Sequence, residues 1–237
     1  MHDHSIPIRS DWTTKVFGAI VIGLATACFF RLFIKYQVEP SLYPSVLELF
    51  NLDADKNIPI FFYVLLLLIG TLLLSTIALI QTRQNSPQKF GWIVLTIIVF
   101  AMSIDKAVRL HGHLLHFIQT ILGRNDPGMI IYPLVIALLT IGLAILVQLV
   151  KFLRELPINT RKSFIIAACV FLSGALVLEA IGSSFYDFSG HANLVYDILS
   201  ILEESLEMAG IIAFIRGLIL FAGDSYKGLL VQFNPPD

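Results

Sequence analysis

Charge is what this chain has least of. Only 14% of its 237 residues are charged, and 16 Lys and Arg against 17 Asp and Glu leave a net charge of −1. Soluble domains carry about 25% charged residues. A near-neutral chain with no basic excess is not a nucleic-acid binder, so no nucleic-acid partner is expected. The two cysteines are too few for a disulfide scaffold. Disorder is excluded by the opposite abundance, since 57% of the residues are hydrophobic. No small-x-small cleavage site follows the first apolar run, which is also longer than the core of a signal peptide. What remains is a chain that keeps company with a lipid bilayer.

A helix crossing a bilayer core needs roughly 20 mostly apolar residues. Six runs meet this, and none shows the period-2 alternation of a barrel strand, so the expected fold is all-α, a polytopic bundle of six transmembrane helices. The spans run from about Val16 to Ile34, Ile60 to Ile80, Gly91 to Ile118, Met129 to Val150, Phe164 to Ser183 and Leu194 to Ala222. Breakers mark the joints: Pro40 and Pro44, Asn85-Ser86-Pro87, Asp126-Pro127-Gly128, Pro157 and Gly190. One domain over 16–222 is therefore expected, between tails at 1–15 and 223–237. Lys and Arg concentrate in the N-terminal tail (Arg9, Lys15), the second loop (Arg83, Lys89), the fourth loop (Lys151, Arg154, Arg161, Lys162) and after the last span (Lys227). The positive-inside rule then places both termini in the cytoplasm. Arg31 and Lys35 contradict that count, standing at the outer end of span one, although both are long enough to snorkel. Trp12 and Trp92 at inner ends, with Tyr36 and Tyr132 at outer ends, fit interfacial belts.

Small-residue stripes at Ala19, Gly23 and Ala27 and at Ala209, Ala213 and Gly217 predict close helix contacts, within the bundle or, as the alternative, between two copies of the chain. Cys28 and Cys169 lie at different depths and are read as small hydrophobes. His2 and His4 read as a solvated terminus, and the first outer loop holds a short amphipathic helix from Ser45 to Phe50.

Ionisable side chains inside a membrane cost about 2.5–3.5 kcal/mol each on insertion scales, so they need partners or a purpose. Span three carries Asp105, Lys106, Arg109, His111, His113 and His116; span five carries Glu179; span six carries Glu203, Glu204 and Glu207. At about 1.5 Å per residue, all of them fall in the outer half of their spans. Tyr196, Ser200, Glu203, Glu207 and Gly210 share one face of span six, and Asp105, Arg109, Gly112 and His116 share one face of span three. Ala175, Glu179 and Ser183 align on span five. The expectation is a hydrophilic pocket among spans three, five and six, with Asp187 and His191 at its mouth. Its carboxylates outnumber Lys106 and Arg109 by three. Protonation, charged histidines or a bound cation would have to relieve that excess.

Ser103-Ile104-Asp105-Lys106, His111-Gly112 and the run from Glu203 to Gly210 resemble an uncharacterised bacterial six-span integral membrane family. Its pattern is S-x-D-E followed by H-E in one span, and E-E-x-L-E-M-x-G in the last, with a lone Glu, here Glu179, in the span before it. The resemblance covers spans three to six and implies the cytoplasmic (inner) membrane of a bacterium. Two acidic positions of the pattern are Lys106 and Gly112 here.

Three functional readings follow. The preferred one is an accessory or structural subunit of a membrane complex, with other membrane subunits as partners and the ionisable residues as a salt-bridged packing network in which Lys106, Arg109, His113, Tyr196 and Ser200 take part. The second is a metal-binding membrane enzyme holding zinc, iron or manganese through Asp105, His111, His116, Glu179, Glu203 and Glu207, with Glu204 as the base for a bound water. Whether the chain is an enzyme is thus left open. No haem is expected, because histidines occur within only one span. The third is translocation or sensing of protons or cations through the pocket.

Overall fold

The computed structural model describes residues 10–38, 44–52, 54, 57–109, 128–185 and 193–226, and every regular element among them is helical. Helix α1 is Ser10–Gln37, followed by a 3-10 helix at Ser45–Phe50 where the short loop helix was expected. Then come α2 (Ile58–Arg83), α3 (Lys89–Val108), α4 (Gly128–Glu155) and α5 (Ile158–Leu172). A π-helical segment at Ser173–Leu178 leads into α6 (Glu179–Ser183), and α7 spans Leu194–Tyr226. Five stretches are long and apolar enough to cross a bilayer: Asp11–Gln37, Ile58–Arg83, Lys89–Val108, Ile158–Gly182 and Leu194–Tyr226. The chain is an integral membrane protein. The expected fourth span, Met129 to Val150, falls on α4, whose first side chains, at 128–139, lie outside the described set.

Hydroxyls inside these helices follow the rule that lipid imposes on polar groups. Thr26, Thr71, Thr76, Thr82, Thr96 and Ser205 each donate to the carbonyl four residues earlier, at 2.7–2.9 Å.

Two spans differ from expectation. Span three was to run to Ile118, but α3 stops at Val108 because Arg109 adopts the left-handed conformation, φ 49°. A side chain in that region ends a helix. Gly112 and His116, the other members of the face expected with Asp105 and Arg109, lie outside the described residues. In span five the π segment widens the helix by part of a residue per turn, so the i+4 register of Ala175, Glu179 and Ser183 is not that of a straight α-helix.

The chain divides into two units, residues 1–62 with 162–237, and residues 63–161. In the first, α1 and α7 pack around Cys28, Leu32 and Ile201, with Ala25, Phe50, Leu52 and Ile198 against them. The 3-10 helix thus closes over one end of the α1–α7 pair. Asn57 ties this region to the start of α2: its Nδ2 donates to the carbonyls of Asn51 and Ala54, each at 3.0 Å, and its Oδ1 accepts the Ile60 amide at 2.7 Å. Asn57→Ala loses a helix cap and both loop bonds. Its thermal unfolding in detergent is expected to show a loss of about 1–2 kcal/mol, with Asn57→Asp, which keeps the acceptor, in between.

In the second unit Trp92 is fully buried, its ring edge-on to Phe152 at 5.1 Å, rather than lying in an interfacial belt. Gly91 permits this packing, because a Cβ there would collide with the Phe152 ring. The α2–α3 turn uses Asn85 at φ 51°, and Gln88 Nε2 donates to the Glu155 carbonyl at 3.0 Å.

Candidate functional site

Helix α7 presents two different faces to its neighbours in the first unit. On one face, Glu203, Glu207, Gly210 and Gly217 meet the α5–π stretch. A Cβ on Gly174 would sit 2.8 Å from the Glu203 carbonyl and 3.1 Å from Glu207 Cγ, so the absence of a side chain lets the two backbones close. One turn on, Gly210 abuts Phe171, and Gly217 abuts Phe164. The small-residue stripe beginning at Ala19 does no such work. Ala19 is exposed and Gly23 has nothing within 4 Å of a Cβ.

The other face carries Asp197 and Ile201 toward α1. Asp197 is 6% exposed and accepts Lys35 Nζ at 2.8 Å and the Tyr36 hydroxyl at 3.3 Å on the same oxygen. One turn deeper, Arg31 is 7% exposed and pairs with Glu48 of the 3-10 helix at 3.8 Å. Asn51 Nδ2 holds that same carboxylate at 2.8 Å. A small cavity, with room for a single water, lies between these groups. Arg31, Asn51, Asp197, Ser200 and Cys28 are among its walls.

Arg31 and Lys35 thereby lose their status as misplaced topology signals. They turn into the bundle, where an acid on a neighbouring element answers each. At the far end of the same helix pair, Arg216 Nη2 lies 3.2 Å from Asp11. The two ion pairs bracket about 36 Å of α1 and about 28 Å of α7. The apolar core of a bilayer is about 30 Å thick. Measured along α7, Glu207 stands midway between the pairs and is 7% exposed. Glu203 and Glu204 stand nearer the Asp197 end, each half-buried.

The other expected site residues are described within each unit by itself. Glu179, on α6 of the first unit, is exposed. Tyr196 and Ser200 follow the N-terminus of α7, where the Tyr196 amide donates to Asn193 Oδ1 at 2.9 Å. Asp105, Lys106 and Arg109 belong to the second unit, each half-buried, with the Lys106 ammonium 4.4 Å from the centre of the Tyr63 ring. None of Asp105, Lys106, Arg109, Tyr196, Glu203, Glu204 and Glu207 lacks an interaction. His111, Gly112, His113, His116, Asp187 and His191 lie outside the described residues, as do His2, His4, Asp53, Asp55 and Lys56. Among the described residues no three His, Cys, Asp or Glu side chains come together as a metal site.

Asp197 is the residue that sequence reading missed. Its signal was the unanswered pair of cations at the end of span one, together with an acid one turn into span six.

Residues 14–221 match the model of a family described as a domain of unknown function, DUF8692. That is most of the chain, and the chain belongs to this family. No curated protein and no solved structure matches it.

Proposed function

We propose that this member of the family is an accessory or structural subunit of a membrane complex, and that its ionisable residues fix helix packing rather than carry out chemistry. The supporting observation is the Lys35–Asp197 pair: a buried carboxylate, met at 2.8 Å by the nearest ammonium and again by a tyrosine hydroxyl. Its charge is answered within the protein, by an ammonium at hydrogen-bonding distance, so no metal ion is needed to balance it. Buried pairs of this kind serve better to specify one arrangement than to add stability. The Lys106 ammonium against Tyr63, where the resembled pattern has an acid, supports the same reading. In full, the proposal is a six-span protein of a bacterial cytoplasmic membrane, with α4 as the sixth span and both termini inside, as the distribution of Lys and Arg favours.

Purification of the full chain from its native membrane in a mild detergent tests this. The expected result is a reproducible membrane-protein partner at fixed stoichiometry, with well under one metal ion per chain. A chain that purifies alone, carrying one zinc, iron or manganese that Glu207→Ala removes, would overturn it in favour of a metal enzyme.

A further inference from the structure

We propose that Arg31 is the anchor of an oxyanion-binding site at the end of the α1–α7 pair, taking a carboxylate or phosphate group in competition with Glu48. Arg31 differs from the other buried charge beside it. Asp197 has its partners at hydrogen-bonding distance, whereas Arg31 Nε is buried with no hydrogen-bond partner. The ion pair to Glu48 uses only Nη2, at 3.8 Å, well beyond the roughly 2.7–2.9 Å of a charge-assisted hydrogen bond. A guanidinium is built for two parallel bonds to one oxyanion, and Nε with one Nη forms such a fork. A buried cation left with one long contact is costly, so a better-placed anion is favoured there.

The surroundings suit an anion. The water-sized space is walled by Arg31, and the Ser200 hydroxyl and the Asn51 amide supply further donors. Among the described residues Asp197 is the acid in the wall, and Lys35 answers its charge. Glu48, the present partner, has a half-exposed side chain on the short 3-10 helix. Its carboxylate can swing to solvent and leave its place to the incoming group. One oxygen of that group takes the place of the Glu48 carboxylate, and the Arg31 side chain turns so that Nε and one Nη face the incoming group together. A lipid headgroup phosphate and a free phosphate or carboxylate share this chemistry.

The site does not depend on the accessory-subunit reading, and its failure leaves that reading standing. The test uses the full chain in a neutral detergent, stripped of lipid. Inorganic phosphate is titrated by calorimetry, and phosphatidylglycerol is counted by native mass spectrometry against a phosphate-free glycolipid. One saturable anion per chain is expected. Phosphate saturation identifies a free anion, and phosphatidylglycerol binding without phosphate saturation identifies a headgroup; either supports the site. Glu48→Gln removes the internal competitor and should tighten binding about tenfold. Arg31→Gln should weaken it at least as much. Absence of saturable binding to both probes, in wild type and Glu48→Gln alike, overturns the proposal. So does a Glu48→Gln affinity equal to that of the wild type, a result that stands even if Arg31→Gln does not fold.

Discussion

Lys35→Met is expected to cost about 2–3 kcal/mol of stability, more than Asp197→Leu costs, although each removes half of the same pair. Breaking a buried pair from one side costs about 3–5 kcal/mol because the remaining charge is stranded. The two ends of this pair are not equally stranded. Asp197 is 6% exposed and, without Lys35, keeps among the described residues the Tyr36 hydroxyl as its side-chain donor. The Lys35 side chain is 34% exposed, so without Asp197 its ammonium can turn to water. That exposure also lowers the larger figure from the fully buried range. The double variant Lys35→Met with Asp197→Leu leaves no charge behind and is expected within about 1 kcal/mol of wild type. Unfolding in detergent, followed for all four proteins, measures the asymmetry and the coupling together. Equal single effects would place the pair in water.

Gly210→Ala is expected to cost about 2–3 kcal/mol, at the upper end of overpacking effects. The new methyl would stand 2.7 Å from both the backbone nitrogen and Cβ of Phe171, and 2.8 Å from its Cα. None of those atoms is the end of a flexible side chain, so α5 and α7 must separate. Gly174→Ala meets the Glu203 carbonyl at 2.8 Å and should behave alike. Gly23→Ala is the control: with open space around it, alanine should stabilise the helix by up to about 1 kcal/mol. Thermal unfolding of the three variants separates close packing from helix propensity. Three equal losses would contradict the packing described for α7.

The apolar runs are the part of this structure that sequence makes plain, since span length and the lack of alternation follow directly from what lipid demands of a backbone. On α7 the 3.6-residue period brings Glu203, Glu207 and Gly210 against the α5–π stretch together, but Ser200, expected on the same face, lines the cavity beside Asp197 on the α1 side. Phase failed where the backbone leaves that period. Nothing in the residues around Ser173 announces a π turn, which lies where Gly174 lets the chain pass close to the Glu203 carbonyl of α7. Arg109 likewise ends α3 without a glycine or proline to mark it. The Asp197 site was hidden because Arg31 and Lys35 read as orientation signals and Asp197 stood outside the charges compared across spans three, five and six. Arg31, Lys35 and Asp197 look like an orientation conflict and a stray acid until α1 and α7 are placed together. Trp92 was placed at an interface from its position near a span end, whereas the missing side chain at Gly91 opens room for Phe152 beside it.

The charge exchange at the α1–α7 pair tests most directly whether these residues hold helices together. Lys35→Glu puts two carboxylates side by side, Asp197→Lys puts two ammonium groups there, and the exchanged protein carries both changes. Each single variant should yield little folded protein by size-exclusion chromatography in detergent, and the exchanged protein should recover most of the wild-type yield. An exchanged protein no better than its parents, or single variants as well folded as wild type, would show that this ion pair does not set the packing.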